Sequence, residues 1–228
     1  MNTQYRTENK YLIDPQTAAV ISKRLQMCCT FDNNANENGF YTVTSLYFDD
    51  FRNSSLNDNI IGQINRKKYR IRIYNGQENY IRLEKKTKHN QVGKKDSLII
   101  SPQTYKHILN GTLEVKDETP GGLLNDFALD VKSRQLKPKV VVEYDRQTFV
   151  YPYGDVRITL DHNIRYYMGD QDLFSDYKVL APAIDTRQIV MEVKFTGYLP
   201  SHIKALVQQG QSTRQSMSKY SLCRMRSY

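Results

Sequence analysis

Hydrophobic positions recur along most of the chain with a period of two, interrupted by a few stretches of helical spacing. Residues 4–13 alternate as a strand. Residues 15–27, PQTAAVISKRLQM, follow Asp14 as an N-cap and place Pro15 at the first helical position, so they predict a helix. A polar loop, TFDNNANENGF, separates it from a strand written YTVTSLYFDD, and residues 51–63 are polar and partly helical in pattern. Strands at 66–75 and 78–88 flank Asn75-Gly76, a dipeptide suited to a hairpin turn that needs positive φ. The loop His89 to Gly93 leads to a strand near 95–100. Helices are predicted at 102–111 and 120–136, with Gly121-Gly122 as the turn before the second, and no P-loop pattern surrounds that turn. Strands follow at 139–151, 155–161 and 188–196. Ser201 to Ser221 reads as a helix, a polar loop and a short terminal helix. Runs of strands with interspersed helices, joined mostly by hairpins, predict an antiparallel α+β architecture. No linker, repeat or low-complexity block breaks it, so one domain over 1–228 is expected.

Taken at period two, the strands repeat one kind of polar face. It carries Arg6, Glu8 and Lys10; Arg70 and Arg72; Arg82, Glu84 and Lys86; Tyr144 and Arg146; Arg157, Thr159 and Asp161; Glu192 and Lys194. The opposite faces carry Ile71 and Ile73; Ile81 and Leu83; Val156, Ile158 and Leu160; Ile189, Met191, Val193 and Phe195. Two arrangements fit this pattern. An open sheet can bury its apolar side under helices and leave the charged face in water. Alternatively, the sheet can curl until the charged face lines a wet lumen. A dry interior is excluded, because that density of charge would cost too much without water or counter-ions.

The overall charge sharpens the picture. Lys plus Arg is 33 against 24 acids, a formal net charge of +9, which favours polyanionic partners. Arginine's planar fork suits phosphate oxygens at any working pH. Glu8, Glu84, Asp161 and Glu192 could balance the arginines or hold a hard divalent cation that bridges phosphates. The strand RKKYRIRIY, with Tyr69, Tyr74 and Tyr80, could imitate a single-strand nucleic-acid surface, but cations spread over many strands with acids between them suit a compact polyphosphate better. Three cysteines, Cys28, Cys29 and Cys223, make neither a disulfide framework nor a zinc site and fit a reducing compartment. The histidines His89, His107, His162 and His202 show no metal-ligand spacing. No apolar run reaches the length of a membrane span, and the N-terminus has no signal-peptide core. The expected location is the cytoplasm, with membrane association only through a membrane-protein partner.

Eight segments carry a resemblance: YRTENKY at 5–11, SLYFDD at 45–50, KYRIRIY at 68–74, RLEKKTK at 82–88, EYDRQTF at 143–149, RITLD at 157–161, MEVKF at 191–195 and SMSKY at 216–220. In this order and spacing the chain resembles bacterial members of the VTC domain family. This is the polyphosphate polymerase domain of the vacuolar transporter chaperone complex, within the triphosphate tunnel metalloenzyme superfamily and near its CYTH branch. The resemblance implies a closed antiparallel β-barrel of about eight strands, forming a charged tunnel with helices packed outside. It implies that Lys10, Arg70, Arg72, Lys86, Arg146 and Arg157 clamp phosphate, with Tyr144, Lys95, Ser218 and Lys219 as further substrate contacts and Lys194 beside them. It implies Mn²⁺ or Mg²⁺ at Glu192, assisted by Glu8 or Glu84. Position 6 departs from the superfamily's Glu-x-Glu-x-Lys signature, since Arg6 stands where the first glutamate is usual. No SPX domain is expected within residues 1–228.

The activity so implied is transfer of the ATP γ-phosphate onto a polyphosphate chain. Two other outcomes use the same residues. With water as the acceptor, the protein is a metal-dependent triphosphatase. With no turnover, it is a binding subunit for polyphosphate or another anionic polymer.

Overall fold

The computed structural model describes residues 6–90, 92–114, 122–168, 172–175, 177–208, 213–214 and 218–226. In chain order these form β1 (Arg6–Ile13), α1 (Pro15–Leu25), β2 (Thr30–Phe31), β3 (Phe40–Asp49), α2 (Ser54–Ile60), β4 (Arg66–Tyr74), β5 (Ile81–His89), β6 (Val92–Ile100), α3 (Pro102–Leu109), α4 (Leu123–Arg134), β7 (Lys137–Tyr151), β8 (Val156–Tyr167), β9 (Ala181–Pro182), β10 (Ile189–Thr196), α5 (Ser201–Val207), β11 (Thr213–Arg214) and α6 (Lys219–Arg226). The chain divides into two units. The first comprises Met1–Thr42, Tyr144–Ile164 and Ile184–Ser216; the second comprises Val43–Glu143, Arg165–Ala183 and Met217–Tyr228. Strands β3, β7 and β8 contribute residues to both.

In the first unit, β1 pairs antiparallel with β10, from Arg6↔Thr196 to Ile13↔Ile189, and β10 pairs with β8. Asp14 caps α1 as its sequence predicts: one carboxylate oxygen accepts from the Thr17 amide at 2.8 Å and the other from the Thr17 hydroxyl at 2.7 Å. The helix then buries Ala18, Ile21 and Leu25, a single face at helical spacing. These side chains join Val156, Ile158, Leu160, Ile189, Met191 and Val193 from the strands, and Ile203 and Val207 from α5, in one core.

In the second unit, β3, β4, β5 and β6 pair in sequence order as antiparallel neighbours. Leu46, Phe48, Ile71, Ile73, Ile81 and Leu83 bury their side chains against Tyr105 and Ile108 of α3 and Phe127 of α4. Phe127 meets Phe48 and Tyr69 edge-on, with centroids 5.0 and 5.1 Å away, the geometry aromatic quadrupoles favour. Ser101 caps α3 through the Thr104 amide. Asn75 and Gly76 both have positive φ, 49° and 67°, as the hairpin dipeptide requires. Strand β5 nevertheless resumes only at Ile81, three residues later than the expected start at 78.

The expectation of a closed barrel of about eight strands is corrected. The hydrogen-bonded path runs β11-β1-β10-β8-β7-β3-β4-β5-β6, and β6 pairs with β5 alone among the described residues. The sheet is therefore open, and the enclosed charged tunnel expected with a closed barrel is corrected along with it. Both ends of the path are poor pairing edges. At one end, β11 has two residues and covers only Tyr11 and Leu12 of β1. At the other, β6 carries the exposed Lys94 paired with the half-buried Asp96, charges of the kind that discourage edge pairing. The two-residue strands β2, β9 and β11 went unpredicted because so short a segment has no periodicity to read. Expected strand residues 4–5, helix residues 120–121 and parts of the last segment (209–212 and 215–217) lie outside the described residues.

Candidate functional site

The second unit shows how a strand tolerates three cations on one face. Four successive rungs of β4 and β5 pair Arg66↔Lys88, Lys68↔Lys86, Arg70↔Glu84 and Arg72↔Arg82. Seven of these eight side chains are cationic and the eighth is Glu84. That carboxylate is only 2% exposed, and cations hold it from two sides. Arg70 donates from Nε at 2.6 Å and also reaches with Nη2, while Lys95, across from Lys86 on β6, pairs with the other oxygen. Burial opposes ionisation of Glu84, but Arg70, Arg72 and Lys95 outweigh it and bring its pKa down to about 2. Burial also lowers the Lys95 ammonium, against the pull of Glu84. Cations outnumber acids on these four rungs, which makes the face a favourable place for an anion.

Strand β3 supplies the next layer, with its parity reversed. The register sets Ser45 opposite Arg72 and Tyr47 opposite Arg70. Ser45 accepts from Arg72 Nε at 3.0 Å, and the Tyr47 hydroxyl accepts from Arg70 Nη1 at 3.1 Å. Burial would raise the Tyr47 phenol, yet Arg70, Arg72 and Lys219 together lower its pKa. Sequence reading missed Ser45 and Tyr47 as site residues. The motif SLYFDD pointed to them, but neither is charged and only the register shows which way they face.

Ser218 and Lys219 sit where α6 begins. Ser218 accepts from the Ser221 amide at 3.2 Å and so caps the helix. Tyr220 is buried, its ring 5.1 Å from Tyr47, which fixes the helix start beside the arginines. Lys86 is exposed on its rung.

The first unit holds the other predicted residues. Register sets Lys10 opposite Glu192 and Glu8 opposite Lys194. Lys10 lies 2.7 Å from Glu8 and 3.7 Å from Glu192, and Lys194 pairs with Glu192 and lies 3.9 Å from Glu8. Burial lowers the Lys194 ammonium despite these acids. Arg146 makes a bidentate pair with the fully buried Asp161, at 2.6 and 2.9 Å, while its guanidinium lies 5.1 Å from the Tyr144 ring centroid. Burial opposes the Arg146 charge, but Asp161 more than compensates and raises its pKa. Arg157 pairs with Asp32 at 2.8 Å and donates to the Tyr41 hydroxyl at 3.2 Å. Asp32 and Tyr41 were also missed: one lies in the polar loop and the other at a strand start, with no motif to mark either. The side chain of Arg6 lies outside the described residues.

A hard divalent ion accepts one or two carboxylates and completes its shell with phosphate and water. Glu192 and Glu8 fit that demand, being close together and held by exchangeable lysine contacts. Glu84 fits it less well, because its carboxylate is 2% exposed and Arg70 holds it at 2.6 Å with a guanidinium whose charge is fixed. No group of three or more His, Cys, Asp or Glu side chains suited to a metal occurs among the described residues.

The antiparallel α+β sheet bears arginine-rich faces with a few buried acids among them, a surface chemistry suited to anions such as phosphate. The model of the VTC domain matches residues 5–228, and the chain belongs to the VTC domain family. Membership supports a polyphosphate-polymerase-like phosphotransferase activity with triphosphate or polyphosphate binding and a general dependence on metal. No curated protein matches the chain. Among solved structures, a candidate adenylate cyclase from Bacillus halodurans matches with a TM-score of 0.52 at 18% identity, over 90% of this chain and 87% of that one, which shows a shared fold. A protein from Pyrococcus horikoshii OT3 matches at 14% identity with a TM-score of 0.49, over 97% of this chain and 99% of its own. No described helix is long and apolar enough to cross a membrane.

Proposed function

We propose that the protein transfers the γ-phosphate of ATP to the end of a polyphosphate chain with the help of Mn²⁺ or Mg²⁺. The observation that carries this reading is the Arg70–Glu84–Lys95 cluster with Arg72 beside it: cations gathered around a buried acid, on a face of a VTC-family sheet. Phosphoryl transfer asks the protein chiefly for positioning and charge neutralisation. Arg70, Arg72, Lys86 and Lys95 bind phosphate oxygens in the second unit, with Lys219 and Ser218 beside them. Lys10, Arg146 and Arg157 bind phosphate oxygens in the first, with Tyr144 orienting Arg146. Glu84 holds Arg70 and Lys95 in place rather than binding metal.

A terminal phosphate oxygen of the polymer forms a bond to the γ-phosphorus, the bond from that phosphorus to the β,γ-bridging oxygen breaks, and ADP leaves with the electron pair. Glu192, with Glu8, would hold the divalent ion, which would supply neutralisation of phosphate charge. Before the ion binds, the two carboxylates keep Lys10 and Lys194 oriented. Polyphosphate is both acceptor and product, and any attachment to a membrane comes through a partner protein.

Purified protein with ATP, Mn²⁺ and a short polyphosphate primer tests the reading. Polymer growth on a stained gel with matching ADP release is expected. Orthophosphate release without polymer selects the triphosphatase, and tight polyphosphate binding with intact ATP selects the binding subunit.

A further inference from the structure

The cationic ladder of the second unit ends in aromatic residues that phosphate does not need. Just past Arg72↔Arg82, where the paired register ends, Tyr74 at the end of β4 and Tyr80 ahead of β5 have ring centroids 6.2 Å apart. The Arg82 guanidinium lies over the Tyr80 ring at 4.8 Å from its centroid and contacts the Tyr80 hydroxyl. Both tyrosines and Arg82 are half-buried, leaving part of each surface open. The Arg82 Nε–H has no acceptor among the described residues, so a donor is left over. Burial would raise the Tyr74 phenol, but the charges of Arg72 and Arg70 lower it, which ties this ring electrostatically to the same cations.

We propose that Tyr74, Tyr80 and Arg82 form the subsite for the nucleobase of the donor nucleotide. The inference rests on the phosphate-binding reading of Arg70 and Arg72. Successive rungs stand about 7 Å apart. Phosphates held at Arg70 and Arg72 therefore place the next chemical group of the ligand, a ribose and then a base, toward the two tyrosines. An inorganic polyphosphate has no flat π-system and gains nothing there. A purine ring gains stacking on the Arg82–Tyr80 layer and against Tyr74, with no sequence-like readout required. The ladder thus distinguishes donor from acceptor: nucleotide uses the whole of it, polyphosphate only the cationic part.

The test is calorimetric binding of ATP and of inorganic tripolyphosphate, each with Mn²⁺, to the wild type, Tyr80→Leu, Tyr80→Phe and Arg82→Lys, with circular dichroism to verify folding. Tyr80→Leu should weaken ATP about tenfold and leave tripolyphosphate unchanged. Tyr80→Phe, which keeps the ring, should bind both ligands as the wild type does. Arg82→Lys, which loses the planar layer, should weaken ATP more than tripolyphosphate. Unchanged ATP affinity in Tyr80→Leu, or equal losses for both ligands, overturns the subsite while leaving the phosphate site intact. A wild type that binds neither ligand defeats the phosphate reading itself and the subsite with it.

Discussion

The Tyr220 hydroxyl donates to the carboxylate of Asp49 at 2.6 Å, joining two residues 171 positions apart. Asp49 is fully buried and also accepts from the amides of Asp50, Ser55 and Leu56, so the same side chain orders the start of α2 and anchors α6. The anchor is reinforced by Ser221 donating to Asn59 at 2.8 Å and Arg224 donating to Asn53 at 2.9 Å. Lys219 precedes Tyr220, so its position beside Tyr47 depends on a hydrogen bond it does not make. Tyr220→Phe should cost about 2 kcal/mol, the worth of a hydrogen bond to a charged acceptor, in urea unfolding. Hydrogen exchange should quicken in 219–226 and not in α1. Unchanged protection of α6 would show that its packing, rather than this bond, seats Lys219.

That pair also marks how far the sequence could be read. The segments SLYFDD and SMSKY contain both partners, but nothing in either predicts that they touch. Within β4, β5, β8 and β10 the period-two pattern was enough: Ile71, Leu83, Ile158 and Met191 are buried as expected, and the charged residues lie on the other face. The pattern failed where parity depends on a neighbour. Ser45 and Tyr47 join the arginines only because β3 pairs with β4 in a register whose partner numbers have opposite parity. Closure of the sheet was equally illegible. Whether a strand path returns to its start depends on its terminal edges, and one of those is a two-residue strand that no periodicity can mark.

Glu84 gives a pH prediction. Its pKa is lowered from 4.5 to about 2 in the folded protein, so the folded state binds the proton less well than the unfolded chain. Its contribution is fully present above 4.5 and is lost as the pH falls toward about 2. The linkage amounts to about 3 kcal/mol. Wild-type stability, measured by urea titration, should therefore decline steeply across that window. Glu84→Gln should be less stable near neutrality and should show a shallower decline. Parallel curves for the two proteins would remove Glu84 from the acid response.

Arg146 and Asp161 form a pair that is 11% and 0% exposed in its side chains. A buried pair of this kind contributes little net stability, but breaking it leaves an uncompensated charge. Asp161→Asn should therefore destabilise by about 3–5 kcal/mol. The double variant Asp161→Leu with Arg146→Met should recover much of that loss in stability while abolishing phosphotransfer. Additive losses in the double-mutant cycle would show that the two side chains do not compensate each other.

The carboxylates of Glu8 and Glu192 share Lys10 and Lys194, and this sharing predicts how metal acts on stability. A divalent ion bound there displaces ammonium contacts rather than filling a preformed dry cage, so affinity should be modest and improved by phosphate. Binding to the folded state alone stabilises by about 2.7 kcal/mol at a hundredfold excess over Kd. For a chain of this length that corresponds to a Tm rise of about 5–10 °C. Mn²⁺ with tripolyphosphate should produce such a rise in the wild type, and EDTA should reverse it. Glu192→Gln should keep the phosphate-induced part and lose the Mn²⁺-dependent part, with Glu8→Gln between the two. Glu84→Gln should retain the Mn²⁺ increment in full, because its partners are cations of the other unit. A Mn²⁺ increment that survives Glu192→Gln but disappears with Glu84→Gln would reverse the assignment of the two carboxylates.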